Sequence, residues 1–398
     1  LFMIKPIHVT SALLTIILGI GCSKTKQSAT QDLYPGMTAA FGSNINLSNL
    51  ANYAAQSKPG YINKDNSDGN TITNAKATLG RVLFYDKNLS FDNSVSCASC
   101  HKQEFAFGDT AIASKGVAGG VTGRHSMRLI NARFANERKF FWNKRANTLE
   151  LQTTQPIQDH AEMGFSGQTG RPNLNSLLTK LSAIDYYKEL FRFVYGDQTI
   201  TEARLQECLA QFVRSIQSFD SKYDAGRGTV PADNIDFPNF TAQENQGKRL
   251  FLAPPVFDAN GNRINGGLGC AGCHQPAEFD IDPNSKNNGV IGVINNTTTD
   301  LTNTRTPSLR DLTRTNGKVN SPMMHDASKP TLRSVILHYN NIANNPGVNN
   351  NLDPRLTPGG KGQRLQVTED EISAISAFLV TLAGTNVYTD TKWSNPFK

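Results

Sequence analysis

Apolar residues recur with helical spacing in four stretches of the chain, and polar, aperiodic segments separate them. In Ala75–Phe84, Leu79, Val82 and Leu83 share one face. Thr201–Phe219 is the clearest helix. Its Leu205, Cys208, Leu209, Phe212, Val213, Ile216 and Phe219 form one stripe, and Thr201 is placed to cap it. Glu244–Phe251 is a third, shorter pattern. The fourth opens on Thr368-Glu369-Asp370-Glu371, a capping box ahead of Ile372–Leu382. Between these, Asn44–Ser67 is rich in Asn, Ser and Gly, and Asp224–Asn239 holds Gly, Pro and Asp without a period. Asn295–Asn303 and Asn340–Asn351 read as Asn-rich loops, and Asn260-Gly261 predicts a tight hairpin turn. The pattern predicts a mainly α protein with long loops.

Two of the helical stretches repeat one another. Gly80-x-x-Leu83-Phe84 precedes Cys97-Ala98-Ser99-Cys100-His101, and Gly247-x-x-Leu250-Phe251 precedes Cys270-Ala271-Gly272-Cys273-His274. Cys-x-x-Cys alone also serves zinc sites and redox dithiols. Two copies, each followed at once by His, read as two c-type haem attachment sites. Cys97 with Cys100, and Cys270 with Cys273, would each hold one haem covalently, with His101 and His274 as iron ligands. The repeat therefore predicts two cytochrome c-like haem domains, placed at residues 61–225 and 226–398, with the last helix a candidate to pack across their interface.

Hydrophobic residues make up 38 % of the chain and aromatic residues 8 %, low but compatible with a packed core to which buried porphyrin contributes. The formal charge of +7 is spread over scattered Lys and Arg, so a solvated surface explains it better than nucleic-acid binding. Of six cysteines, four belong to the two motifs, and Cys208 on its apolar stripe reads as a small core residue. Val9–Ile20, preceded by Lys5, is too short to span a bilayer and fits a secretory signal over residues 1–21. Leu18-Gly19-Ile20-Gly21-Cys22 resembles a bacterial lipoprotein processing site with Cys22 as the acylated residue, although Gly19 stands where Leu is usual; ordinary signal cleavage and an uncleaved N-terminal anchor are the alternatives. Residues 22–60 are then a tether and extended segment. The expected location is the periplasmic side of a bacterial envelope, with membrane contact through the lipid anchor only.

A haem protein transfers electrons, binds a gas or activates peroxide according to what faces the iron opposite its first ligand. His125, His160, His325 and His338 remain as candidates, and for any one of them a structural role is the simpler reading. Glu162, within Pro156–Gly164, combines a carboxylate with apolar neighbours. A desolvated Glu has a raised pKa and can shuttle a proton, whereas a solvent-facing one does neither.

From about Ala75 to Leu382 the chain resembles the bacterial di-haem cytochrome c peroxidase family, which includes MauG-type enzymes. Leu79–Asp86, Leu89-Ser90, Phe140–Ala146, Thr148–Gln152, Pro156-Ile157, Glu162-Met163-Gly164, Thr306–Arg310, Met324-His325-Asp326 and Thr331-Leu332 carry the resemblance, together with both haem motifs. It implies that His101 is the proximal ligand of a peroxide-reacting haem and that Glu162 is its distal acid–base carboxylate. Gln152 would be a polar residue of the same pocket, Trp142 an electron relay between the haems, and His274 the ligand of an electron-transfer haem.

The chain also departs from the family. Many members carry a removable distal His in the loop after the first motif, where Val117 stands here. The first haem is therefore expected to be open without reductive activation, and His125 is the residue that could close it. His125 also occupies the usual place of an Asn that binds an inter-haem calcium. Imidazole is a poor calcium ligand, so calcium is weakly supported here even with carbonyls near Asn320 and Pro322. Counting on from His325, the second axial ligand of the C-terminal haem falls at Tyr339, with Met323, Met324 and His338 as alternatives. The expected activity is reduction of hydrogen peroxide with electrons from a small donor protein, a cytochrome c or cupredoxin. MauG-like oxidation of a protein or organic substrate and pure electron transfer are the alternatives, and a homodimer is compatible with all three.

Overall fold

Thr73 opens helix α1 (Asn74–Tyr85), its hydroxyl accepting from the amide of Lys76. Thr201 does the same for Arg204 at the start of α2 (Glu202–Ser215), whose apolar stripe is buried from Leu205 to Val213. The two helices cross at Gly80. A Cβ there would lie 2.0 Å from the carbonyl oxygen of Cys208 and 2.8 Å from Cβ of Phe212, so only glycine lets the backbones meet. The same contact recurs between α3 (Ala242–Leu252) and the later α5 (Glu369–Val380). There a Cβ on Gly247 would lie 1.9 Å from the carbonyl oxygen of Ala374 and 2.8 Å from Cβ of Phe378. The sequence repeat is thus one packing solution used twice.

The computed structural model describes residues 1–3 and 32–398, and Tyr34–Lys398 forms one compact unit. The expected secretory segment and Cys22 lie outside the described residues. The fold is mainly helical and holds two apolar clusters, one around each helix crossing. The first gathers Phe84, Phe107, Phe191 and Phe212, and the second Phe251, Phe279 and Phe378. Cys208 is buried within the first. Helix α5 packs in the second cluster, on α3, but the chain beyond it returns to the first, where Val387 and Trp393 are buried. Backbone carbonyls of this tail are held by the first lobe. Arg81 Nε donates to Ser394 (2.7 Å), the Tyr85 hydroxyl to Trp393 (2.7 Å) and the Tyr53 hydroxyl to Lys392 (2.5 Å).

Several elements differ from the periodic pattern. Helix α2 stops at Ser215, because Asn131 pairs with the chain beyond it, its amide donating to the Ile216 carbonyl and its Oδ1 accepting from Ser218. Short helices at Pro35–Phe41 and Lys222–Arg227 span too few residues to show a period; the second is fixed by the capping box of Ser221 and Asp224. The hairpin of β1 (Pro255–Phe257) and β2 (Arg263–Gly266) exists, but its loop holds Asp258–Asn262 instead of two residues. The Asp258 carboxylate accepts from the amides of Asn260 and Asn262, and Gly261 supplies the positive φ of 82°.

Candidate functional site

Cys97–Cys100 forms one helical turn, tied by the Ser96 amide donating to Ser99 Oγ (3.0 Å), and His101 follows as its C-cap. The next turn returns so that His101 Nδ1 donates to the carbonyl of Phe107 (3.2 Å). Ala106 and Phe107 both take φ of 57° to make this return, a conformation costly for non-glycine residues. Nδ1 is thereby occupied, and Nε2 is the nitrogen left for a metal.

These residues line a cavity of about 640 Å³, which Gln152, Glu162, Trp142 and His125 also line. Gln152 comes from the short helix Leu149–Thr153, capped by Thr148. Glu162 is set by an Asx turn, its amide and that of Ala161 donating to Asp159 Oδ1 (3.1 and 2.8 Å). The loop that bears Val117 is docked on this segment, the Val117 amide donating to the Glu162 carbonyl (3.1 Å). Gly116 and Gly120 permit the approach, since a Cβ on either would fall within 2.4 Å of the Ala161 carbonyl oxygen. Val117 itself is buried and does not line the cavity. Burial pushes the Glu162 carboxyl up to about 7, with Asp159 adding to the rise and Arg145 opposing it. Among the described residues its carboxylate accepts no hydrogen bond. His160 bonds Ser166 instead and does not reach the cavity.

Cys270, Cys273 and His274 line a second cavity of about 660 Å³. Burial pushes the His274 imidazole down to about 3, the Pro307 carbonyl partly opposing the fall. Tyr339, on α4 (Leu332–Asn340), lines this cavity with Met323 and Met324. Asn288 Nδ2 donates to Tyr339 Oη (3.0 Å) and to Met324 Sδ (3.3 Å). His338 is turned elsewhere, its Nε2 donating to the Asn288 carbonyl (2.9 Å), and is absent from the lining.

One wall separates the two cavities. His125, Ser126, Met127, Arg128, Trp142, Arg305 and Pro307 line both. Trp142 is pinned to both segments of this wall: its Nε1 donates to the His125 carbonyl (2.8 Å), and its own carbonyl accepts from Thr304 and Arg305. His125 Nδ1 donates to the carbonyls of Ala111 and Ile112, and its Nε2 is buried without a partner. The sequence placed Trp142 in this region. It gave no sign of Asn288, Arg128 or Arg305, which sit in loops and whose residue types carry no spacing signal.

The residues present fit two haems. Each cavity has the size of a ligand site, and each holds one buried imidazole and two free thiols. Burial pushes those thiols up, to about 12 and 11 for Cys97 and Cys100 and about 12 for Cys270 and Cys273, so they are not the acidified thiolates of a redox dithiol. Among the described residues no group of three His, Cys, Asp or Glu is arranged to hold a metal ion by itself.

Residues 74–228 match the family model described as di-haem cytochrome c peroxidase. The chain is 29 % identical to the methylamine utilization protein MauG of Methylophilus methylotrophus over 79 % of this chain and 84 % of that protein. It is 26 % identical to the cytochrome c551 peroxidase of Nitrosomonas europaea, over 77 % and 80 %. Among solved structures, a MauG-like protein associated with microbial copper homeostasis superposes with a TM-score of 0.65 at 26 % identity, covering 85 % of this chain and 98 % of that one. The family implies two haems, for which the two Cys-x-x-Cys pairs are present, and its members include both peroxidases and MauG. With two helix crossings, two matched cavities and these relatives, the chain is similar to the di-haem cytochrome c peroxidase family, whose model it matches over residues 74–228.

Proposed function

We propose that the protein reduces hydrogen peroxide to water with electrons from a small redox protein, a cytochrome c or cupredoxin. The observation that carries this reading is Glu162: a carboxyl poised near pH 7, without a hydrogen-bond partner, in the cavity of Cys97, Cys100 and His101. A protein that only relays electrons needs no such group. A haem bound covalently to Cys97 and Cys100 and ligated by His101 would supply an open iron, while a second on Cys270, Cys273 and His274 would store an electron.

Glu162, as carboxylate, takes the proton from the near oxygen of peroxide and returns it to the far oxygen, which departs as water. Two electrons and two further protons complete the conversion of peroxide to two waters. Gln152 offers an amide to the bound oxygens. Trp142, in contact with both cavities, is the path between the two centres. Calcium has no part in the proposal, because the position expected to offer an oxygen holds His125, whose Nδ1 is already donating to two carbonyls. Export to the periplasmic side and anchoring through Cys22 complete the reading.

A second reading, oxidation of a protein or organic substrate in the manner of MauG, is favoured by Tyr339, held by Asn288 within the second cavity. Paramagnetic resonance of the oxidised protein tests the open site, with one high-spin and one low-spin haem expected. Two low-spin haems would overturn it and point to His125 Nε2 as the extra ligand. Turnover of peroxide with a reduced cytochrome then separates the two activities.

A further inference from the structure

Two guanidinium groups stand in the shared wall without an anion. Arg128 Nη2 donates to the Ser308 carbonyl (3.1 Å), and its Nε is buried with no partner. Arg305 Nη1 reaches Met127 Sδ (3.4 Å), its guanidinium lies 4.4 Å from the centre of the Phe140 ring, and its Nε is likewise buried and unpartnered. None of the acids acting on them forms an ion pair with either. Asp280 pairs with Lys64 (2.6 Å) and Glu137 with Lys144 (3.1 Å). Asp311 accepts through Oδ1 from the Gly384 amide (2.9 Å) and the Tyr388 hydroxyl (3.1 Å); its Oδ2 is buried and makes no hydrogen bond to Arg128, and burial raises the carboxyl, favouring its neutral form. An enclosed charge without a counter-ion is strongly disfavoured, and burial draws both guanidinium groups down to about 10. What each still faces is cavity, and each lines both cavities.

We propose that Arg128 and Arg305 bind the propionate carboxylates of the two haems, forming one cationic clamp that fastens both prosthetic groups to the shared wall and links their potentials. A porphyrin carboxylate supplies the planar pair of oxygens that a guanidinium fork recognises. A cation near an iron centre favours its reduced state. Because each arginine faces both cavities, loss of either one acts on both haems. The proposal rests on the two-haem reading of the cavities and is independent of the substrate.

The test is a spectroelectrochemical titration, without peroxide, of the holoprotein and of Arg128→Gln, Arg305→Gln and Arg128→Lys. In each Gln variant both midpoint potentials are expected to fall, by about tenfold in each one-electron equilibrium, or about 59 mV. Arg128→Lys keeps the charge and brings both back toward the wild type. Arg249→Gln, at an exposed ion pair on α3, moves neither. A shift of one potential alone, or of none, overturns the clamp. Should a Gln variant fail to take up two haems, resonance Raman of Arg128→Lys decides, since an unchanged propionate bending mode would equally sink the proposal. Loss of the peroxidase reading would show in turnover and leave these potentials where they are.

Discussion

The indole nitrogen of Trp142 donates to the backbone carbonyl of His125 at 2.8 Å, and both residues line both cavities. The bond fixes the ring within the shared wall, where the amide of His125 is itself held by the carbonyl of His325 (2.7 Å). Trp142→Phe keeps an aromatic ring and deletes the donor. It is expected to cost about 1 kcal/mol in urea denaturation and to slow donor-driven turnover, while the first reaction with peroxide, followed by rapid mixing, keeps its rate.

Glu162→Gln should lower kcat about 10²–10⁴-fold, the usual contribution of a positioned acid–base group. With the carboxyl near 7, wild-type turnover should fall as pH drops below that value, and the residual turnover of the variant should be flat there. The same shift has a stability consequence of definite sign. The folded pKa is raised from the ordinary 4.5, so the fold favours the protonated acid, and stability is lost as pH rises through about 7. Glu162→Gln should therefore melt above the wild type at pH 8 and close to it at pH 5.

At the second centre, Tyr339→Phe should convert its low-spin signal to high-spin, and Tyr339→Met should raise its potential. Asn288→Leu removes the donor to both Tyr339 Oη and Met324 Sδ, and should shift the low-spin spectrum without loss of the haem. An unchanged spectrum in Tyr339→Phe would transfer the ligand role to Met323 or Met324.

Gly80→Ala and Gly247→Ala each force a methyl group onto a carbonyl oxygen of the partner helix. Each should lower stability by about 1–3 kcal/mol or more, as overpacking does. Thermal denaturation followed at the haem bands should show the loss at both sites, whereas Lys87→Ala, at an exposed position of a turn, should leave the midpoint unchanged.

What could be read from the chain follows from the range of each interaction. Caps and stripes are local, so Thr201 and Thr368 mark real helix starts, and the two Gly-x-x-Leu-Phe stretches mark equivalent helices. The cavity partners of the haem motifs were legible where a family motif supplied them, as at Glu162, Gln152 and Trp142. Asn288, Arg128 and Arg305 act through contacts made by loops that are distant in sequence, and nothing in their own neighbourhoods announces the cavities they line. The left-handed pair Ala106-Phe107 is equally silent, because neither residue type signals a positive φ.

The tail that leaves α5 and settles on α1 has a consequence for the order in which the molecule is made. The stretch of chain that bears Cys97 and His101 cannot close its own core, since Trp393 and Val387 occupy part of it. As the chain is made, the earlier lobe is completed only by a segment that follows the later one. Proteolytic clipping ahead of Asn386 would then injure the centre at His101 before the nearer centre at His274, a long-distance vulnerability set by chain threading.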